Sequence, residues 1–460
     1  MTLGGLMLAG TAVVVGHSLT QAVVAVPGDE GGVASVGPDV IVGAIPNYSK
    51  YGTTSGISAY SFGSTSCNIG DVQLDWIAGN NQHPVIPQNA YRVKNGRIEQ
   101  IGMSWVKHGF CALQQTLCGS CQPAGGGCPS MLGIGCSDPY DSGLNGDQGG
   151  LGPRSLINAA TGVFPYPYSA PPFSGNLARR VQIALADLDP AQNSGALYYA
   201  ECQYIHPDDS VAGNDNNNAS YRKFSIGTLS GGSYNLALTG STIQMKPGIY
   251  AWKDNDASVT VNSFDVPNDG RYYIAYKAKD NLNGTWHYEV AVFNLNSDRG
   301  GYSLSIPVPD GVTITNAGFK DINHHSGEPY TNTDWSITVA DGMITWAADA
   351  THAQNANANA LRWSTLFNFW FDADTAPQTV QSSFGLFKPG AVGDPTAVNV
   401  AVAGPGPLPC LGDFNADNEI DGTDLAYLLG SWGGPNADLN ADGLTDAADL
   451  AIVLGAWGGC

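Results

Sequence analysis

Two oxygen-rich segments near the C-terminus have the residue types and spacing that calcium coordination requires. Calcium takes roughly six to eight oxygen ligands, which a loop of about twelve residues supplies from positions 1, 3, 5, 7, 9 and 12. In the first segment these positions hold Asp413, Asn415, Asp417, Glu419 (through its carbonyl), Asp421 and Asp424. In the second they hold Asp438, Asn440, Asp442, Leu444 (through its carbonyl), Asp446 and Asp449. The repeat predicts two calcium ions, one in each loop.

Each candidate loop leads into a short segment with helical periodicity. The apolar residues at this spacing are Leu425, Leu428, Leu429 and Trp432 after the first loop and Leu450, Val453, Leu454 and Trp457 after the second. A Gly-Gly pair follows each Trp, and we expect it to end the helix. Each half is too small to fold alone, so we expect both halves and both ions to share one core.

Residues 410–460, with two loops and two helices repeating in register, resemble a type I dockerin. This calcium-binding module attaches secreted bacterial proteins to cohesin domains, so the resemblance implies a cohesin-like partner. It covers about a ninth of the chain. Gly443 suits the sharp turn at position 6, whereas Asn418 stands there in the first loop, and Thr445 replaces an apolar residue at position 8. These departures predict weaker or unequal calcium affinity. The alternative is that the loops only hold together a terminal cap.

Cys410 and Cys460 bracket this module. Because the pseudo-twofold arrangement of a dockerin brings its ends together, the resemblance implies a disulfide between them. A closed loop of this length would stabilise the module by roughly 4 kcal/mol in the chain-entropy model.

A second candidate site lies in residues 82–108, where polar and aromatic side chains concentrate in a chain poor in cations. A polysaccharide lyase needs a base, a proton donor to the leaving oxygen, and a cation or amide that neutralises the uronate carboxylate. The residues that fit these catalytic roles are His83, Tyr91, Arg92, Lys107 and His108. The alternative is a hairpin with ordinary surface charges and buried aromatic rings.

Three further clusters each have a functional and a structural interpretation. Cys118, Cys121, Cys128 and Cys136 suggest either a zinc knuckle or, as we expect of a secreted protein, disulfides. His324 and His325 suggest either a metal site or a polar loop, and neighbouring side chains of an extended segment seldom reach one ion. The oxygen-rich residues 206–218 suggest either a structural calcium site or an irregular loop.

Glycoside hydrolysis needs two carboxyl groups at a defined separation. The candidates are Glu99, Glu201, Glu289 and Glu328, and the sequence gives no distances between them.

Composition limits the classes of function. The chain has 460 residues, which predicts two or three domains, and a net charge of -21. This charge argues against nucleic acid and anionic membranes as partners. Nine Cys fit an oxidising compartment. Residues 3–16 have the length of a signal-peptide core, and the lack of a basic residue before them suggests a start further upstream.

Strand patterns dominate the body. Short β-branched or aromatic runs bounded by Gly, Asn, Asp or Pro occur at 196–200, 272–276, 287–293, 302–306, 335–339 and 361–371, with a hairpin turn at 340–343. We therefore predict a mainly β protein. Its predicted parts are a signal peptide (1–25), a loop-rich β region with disulfides (26–190), an antiparallel β-sandwich (191–389), a Pro/Gly/Ala linker (390–409) and the all-α calcium-binding module (410–460).

Two functions remain open at this stage. The first is a secreted protein anchored through the calcium-dependent module, with a body that binds glycan or serves in extracellular assembly. The second is a carbohydrate-active enzyme, a polysaccharide lyase or glycoside hydrolase, displayed on a cohesin-bearing partner. The association of dockerin-like tails with such enzymes is not a mechanism, and the sequence shows no decisive catalytic constellation.

Overall fold

The computed structural model describes residues 26–27, 35–408, 410–415, 417 and 419–459. These residues are mainly β, as predicted, with short helices and two 3-10 helices, Gln148–Gly150 and Arg154–Leu156. The predicted signal peptide, residues 1–25, lies outside the described residues.

The strands are β1 (Val26–Pro27), β2 (Val40–Ala44), β3 (Tyr48–Thr54), β4 (Ile57–Phe62), β5 (Ser64–Asn68), β6 (Leu74–Asp75), β7 (Val85–Ile86), β8 (Gln88–Lys94), β9 (Arg97–Met103), β10 (Val106–His108), β11 (Met131–Leu132), β12 (Ser137–Tyr140), β13 (Leu151–Gly152), β14 (Val181–Ala184), β15 (Leu197–Gln203), β16 (Ala219–Ser230), β17 (Ser233–Leu238), β18 (Thr260–Asp265), β19 (Arg271–Asp280), β20 (Trp286–Asn294), β21 (Gly301–Pro307), β22 (Ile314–Lys320), β23 (Ser336–Ala340), β24 (Met343–Ala347), β25 (Thr365–Ala373), β26 (Pro377–Leu386), β27 (Ala397–Pro405), β28 (Glu419–Ile420) and β29 (Gly458–Gly459). The helices are α1 (Ser142–Asn145), α2 (Leu185–Leu188), α3 (Pro207–Ala212), α4 (Tyr250–Asn255), α5 (Gly422–Gly430) and α6 (Ala447–Gly455).

An eight-stranded antiparallel sheet, in the order β17-β16-β15-β8-β9-β14-β4-β3, curls into a nearly closed barrel. Its two edge strands, β17 and β3, meet through side chains: the Leu236 N–H donates to the Tyr48 hydroxyl (3.0 Å), and Lys50 Nζ donates to Asn235 Oδ1 (2.8 Å). The barrel encloses a core with large rings, among them Tyr60, Phe62, Trp76 and Phe224. Strands from both sides of residue 190, where we placed a boundary, belong to this one sheet.

Small sheets and disulfides cover one side of the barrel. The sheets have the orders β12-β5-β2, β11-β6 and β13-β10-β7. Three disulfides join the intervening loops, Cys67–Cys118, Cys111–Cys128 and Cys121–Cys136. The predicted disulfide-stapled, loop-rich region is therefore confirmed.

The second half of the body contains the predicted antiparallel sandwich. A six-stranded sheet, β1-β18-β19-β20-β25-β22, faces a five-stranded sheet, β23-β24-β21-β26-β27. Phe369 lies between them, with its ring centroid 5.6 Å from those of Trp335 and Trp346. Asp341 and Gly342 have φ values of 53° and 69°, as a tight hairpin turn between β23 and β24 requires.

The other face of the six-stranded sheet packs against the outside of the barrel. Tyr91 and Tyr199 of the barrel share one buried cluster with Trp252 and with Phe293 of β20. The body thus has three layers, with the six-stranded sheet in the middle.

The segment predicted as a linker, residues 390–409, contains a strand. β27 pairs antiparallel with β26 from Pro377↔Pro405 to Gly385↔Ala397. Val398, Val400 and Val402 are buried at alternate positions, whereas the intervening Ala and Asn residues face outward. The high Ala, Gly and Pro content of this segment obscured the short period-2 pattern in the sequence.

Candidate functional site

The first oxygen-rich loop brings three carboxylates together. Asp413, Asp417 and Asp424 each offer one oxygen, and these oxygens lie within 4.8 Å of one another. The donor set of three carboxylates fits a hard divalent cation. These three residues can therefore hold a metal ion.

Backbone donors fix the last ligand of this loop. Asp424 Oδ1 accepts from the Phe414 N–H (2.7 Å), and its Oδ2 accepts from the Asp421 N–H (3.0 Å). Asp421 in turn caps α5 by accepting from the Thr423 N–H (2.7 Å), which completes a capping box. The backbone donors, that of Asp421 foremost, lower the pKa of Asp424, so its carboxylate is held ionised for a cation.

The remaining predicted ligands of the first loop lie beside this triad. Asn415 Nδ2 donates to Asp417 Oδ2 (2.7 Å), and the Glu419 N–H donates to Asp417 Oδ1 (2.9 Å). Asn418, at the turn position, lies outside the described residues.

The second loop repeats these hydrogen bonds, but among the described residues only the first loop brings three carboxylates within 4.8 Å of one another. Asp449 Oδ1 accepts from the Leu439 N–H (2.7 Å), and its Oδ2 accepts from the Asp446 N–H (2.7 Å). Asn440 Nδ2 donates to Asp442 Oδ2 (2.9 Å). The Leu444 N–H donates to Asp442 Oδ1 (3.0 Å), and the Asp442 N–H donates to Asp438 Oδ1 (3.2 Å). Gly443 has a φ of 96°, as expected for the sharp turn at position 6.

The two halves of the tail pair with each other across a pseudo-twofold axis. Position 8 of the first loop, Ile420, pairs with Gly458 after the second helix. Position 8 of the second loop, Thr445, pairs with the segment after the first helix: the Gly433 N–H donates to the Thr445 carbonyl (2.9 Å). Each loop is therefore tied to the opposite helix.

Both halves contribute to one small core. Its buried apolar members are Ile420, Leu428, Ala437 and Val453. The helices end at Gly430 and Gly455, a few residues before the Gly-Gly pairs that we expected to end them. Cys410 is disulfide-bonded, and its predicted partner Cys460 lies outside the described residues.

Four of the apolar residues predicted for this core are instead exposed, and they form equivalent pairs. Leu429 and Leu454 are 51% and 52% exposed, and Trp432 and Trp457 are 49% and 50% exposed. Each pair is related by the 25-residue repeat. The tail thus presents the same apolar surface twice, once in each half, with the Leu on the helix and the Trp just after its end.

In the body, two of the predicted catalytic residues touch. His83 Nε2 lies 3.0 Å from His108 Nδ1, and both rings are buried. His83 Nδ1 lies 3.0 Å from the Ile77 carbonyl and so donates to it, which leaves His83 Nε2 to accept from His108. The ring of His108 stacks on Tyr168 with centroids 3.7 Å apart. Burial, followed by the charges of His83 and Lys107, lowers the pKa of His108 to about 3.

The other three candidates have separate partners. Tyr91 donates to Glu201 Oε1 (3.0 Å), and burial raises its pKa well above the ordinary value. Arg92 forms ion pairs with Glu99 (2.6 Å) and Asp187 (2.9 Å).

Lys107 is buried near the ring of Phe110, with Nζ 5.6 Å from its centroid. It follows Val106 and precedes His108 in β10, and successive side chains of a strand point to opposite faces. Of the five candidates, only His83 and His108 contact each other through a hydrogen bond.

The cysteine cluster and the His324–His325 pair do not form metal sites among the described residues. The four Cys of the possible zinc knuckle are all disulfide-bonded. His325 lies 2.8 Å from the carbonyls of both Ser326 and Arg180, whereas His324 packs against Tyr330. The two histidines thus face different neighbours, as expected for adjacent residues of an extended segment.

Arg154, which the sequence did not single out, connects the layers of the body. Its buried guanidinium donates to carbonyls of Ser104 (2.6 Å), Gln88 (2.9 Å) and Ser364 (3.0 Å) and to Asn89 Oδ1 (3.0 Å). A narrow space beside it is large enough for about one water molecule. No sequence signal marks this network, because its members are far apart along the chain.

No protein-family model matches the chain, and a search of curated proteins found no match. No helix among the described residues is long and apolar enough to cross a membrane. Any assignment of function therefore rests on the geometry of the tail and the body.

Proposed function

We propose that this is a secreted protein whose tail, residues 410–460, folds around two calcium ions and docks onto a cohesin-like protein domain. The body then acts as a glycan-binding or extracellular assembly component. The observation that carries the proposal is the duplication in the tail of both the carboxylate loops and the exposed apolar pairs.

The exposed pairs favour docking over the terminal-cap alternative. A cap that served only the fold would bury its large apolar side chains, yet Leu429, Leu454, Trp432 and Trp457 stay about half exposed. Exposed apolar patches on soluble proteins commonly mark interaction surfaces, and Trp is enriched among the residues that dominate binding energy. Calcium acts indirectly here, because it orders the two helices that present these side chains.

Exposed rings on the body support a glycan-binding role. Of the strand Trp residues, Trp346 is buried and Trp286 and Trp370 are half-buried, and the Arg97 guanidinium covers the ring of Trp370, so none of them is a fully exposed platform for a sugar. Tyr166 and Phe173 are exposed and lie in one loop, close to Tyr168 over the histidine pair. The catalytic alternative has no comparable support, since the five candidate side chains do not converge.

The docking proposal is tested with the full chain and a recombinant type I cohesin domain. We expect binding in calcium that is abolished by a chelator. Leu429→Ser with Leu454→Ser should abolish binding while both tail ions are retained, because these side chains are exposed and contact no ion. Absence of binding by the folded chain in calcium would contradict docking, and retained ions would then favour the terminal cap.

The role of the body is tested by binding to neutral and uronate polysaccharides, with new reducing ends and unsaturated-uronate absorbance read in the same samples. We expect binding without turnover, and its loss in Tyr166→Ala with Phe173→Ala. The exposed Val36→Ala serves as the control variant. Turnover would establish the enzyme instead, and absence of both signals would restrict the body to assembly.

A further inference from the structure

Two fully buried carboxyl groups lie where the start of β2 meets the loop between α3 and β16. Asp39 directly precedes β2, and Asp209 is in α3. The Val40 N–H donates to Asp209 Oδ1 (3.2 Å). The adjacent residues Asn217 and Asn218 each reach one carboxyl group: Asn217 Nδ2 donates to Asp39 Oδ2 (3.2 Å), and Asn218 Nδ2 donates to Asp209 Oδ2 (2.6 Å). The four polar side chains thus form one compact cluster.

Three oxygens of this cluster are buried without a hydrogen-bond partner among the described residues. They are Asp39 Oδ1, Asn217 Oδ1 and Asn218 Oδ1. All three are acceptors, so they cannot satisfy one another. A buried polar group without a partner costs roughly 1–3 kcal/mol, and more when it is charged, so a donor or a cation is expected here.

The cluster also lacks a protein cation. Among the described residues, no Lys or Arg forms an ion pair with Asp39 or Asp209. Two neighbouring buried carboxyl groups remain ionised together only if a positive charge compensates them.

We propose that Asp39, Asp209, Asn217 and Asn218 form a buried calcium site in the body, separate from the loops of the tail. Carboxylate and amide oxygens are the ligands that calcium prefers, and calcium tolerates the irregular arrangement that such a loop provides. Magnesium fits less well, because it requires near-octahedral geometry and keeps several waters. The ion fastens the first strand of the body to the loop that leads into β16.

The oxygen-rich residues 206–218 marked one half of this site in the sequence. Asp39, the other half, is distant in the chain and stands alone among apolar neighbours. Regular ligand spacing is absent because the two halves come from different segments.

The test counts the calcium ions bound to the full chain after dialysis. We expect Asp39→Asn with Asp209→Asn to bind one ion fewer per chain than the wild type. Asp208→Asn, which removes one carboxylate charge from the neighbouring half-buried residue of α3, should bind the wild-type number. Calcium should also raise the melting temperature of the body in Asp208→Asn but not in the double variant. An equal ion count in the wild type and a folded double variant would overturn the site.

A second measurement needs no variant, in case the double variant does not fold. Amide hydrogen exchange of the wild-type chain is compared in calcium and in chelator. We expect calcium to slow exchange in residues 36–40 and 209–218 relative to the rest of the barrel. Unchanged exchange in both segments would overturn the proposal, whatever happens in the tail.

Discussion

The body and the tail achieve stability in different ways. In the sandwich, two sheets bury a continuous core with many aromatic rings, whereas the tail core has Ile420, Leu428, Ala437 and Val453 as its buried apolar members. A fully buried aliphatic side chain contributes roughly 1.5–3 kcal/mol. Ordering the backbone of about fifty residues costs roughly 1–2 kcal/mol each. Apolar burial alone is therefore insufficient for the tail.

The tail replaces apolar burial with a concentration of carboxylates. Asp413, Asp417 and Asp424 lie close enough to repel one another without a cation. The second loop repeats the backbone hydrogen bonds that hold its last carboxylate, Asp449. Metal binding and folding are coupled in such modules, because the site does not exist in the unfolded chain. Under the proposed function, calcium therefore controls the folding of the tail, while the sheets of the body stay folded without it.

The largest expected effect comes from the last ligand of each loop. Asp424→Asn with Asp449→Asn should abolish binding of both tail ions and unfold the tail, because each carboxylate combines metal binding with backbone hydrogen bonds. The melting temperature of the body should not change. Ion counting and differential scanning calorimetry of the full chain measure the two effects.

Glu419→Gln is the matched control, since it removes one charge from the first loop but leaves the backbone carbonyl that is the predicted ligand. An equally large effect of this variant would mean that net charge, rather than coordination, governs the tail.

The stability of the sandwich should depend on apolar packing in its core and not on calcium. Phe369→Ala should lower the free energy of unfolding of the body by about 3–5 kcal/mol, because it leaves a cavity among Phe319, Trp335 and Trp346. Denaturant unfolding measures the change, with the exposed Val339→Ala as the control. Altered calcium binding by the tail in Phe369→Ala would contradict the independence of the two regions.

The lowered pKa of the buried His108 predicts that the body becomes less stable as the pH falls. His108 protonates near its ordinary pKa of about 6.5 in the unfolded chain, but only at about 3 in the folded protein. The unfolded state therefore binds more protons between these values, and stability falls as the pH falls from about 6.5 toward 3. His108→Gln retains a donor for His83 and cannot titrate. It should therefore reduce the change in the free energy of unfolding with pH, measured by denaturant titration at several pH values. An unchanged slope would assign the acid sensitivity to other groups.

The smallest effect on stability is expected at the exposed pair of the tail. Leu429→Ser with Leu454→Ser should change the stability of the calcium-bound tail by less than about 0.5 kcal/mol per site, as surface substitutions usually do. Leu428→Ser, one residue away but buried, should prevent folding of the tail. Equal effects of the two variants, read by circular dichroism in calcium, would mean that the exposed leucines belong to the fold and are not a docking surface.

The sequence predicted the strands of the body, and the carboxylates that cluster as Asp413, Asp417 and Asp424 in the tail, because both follow local patterns. Ligand spacing is fixed by loop geometry, and strands such as β20 and β25 alternate or are bounded by turn residues. Which apolar residues of α5 and α6 are buried and which are exposed could not be predicted from the sequence. Leu428 and Leu429, for example, have the same chemistry and differ only in which face of the helix they occupy.

Contacts between residues far apart in the chain also could not be predicted from the sequence. The hydrogen bonds of Arg154 and the cluster of Asp39 with Asp209 join segments that are far apart in the chain. β27 was predicted as linker because small residues dilute its alternation, and only pairing with β26 identifies it as a strand. Such features depend on the packing of whole sheets, which no local pattern encodes.

The most direct test of the account is amide hydrogen exchange along the full chain during a calcium titration. We predict that residues 410–459 gain protection cooperatively as calcium is added and lose it in chelator, while the sheets of the body stay protected throughout. Equal protection of the tail with and without calcium would contradict the central claim that calcium folds it.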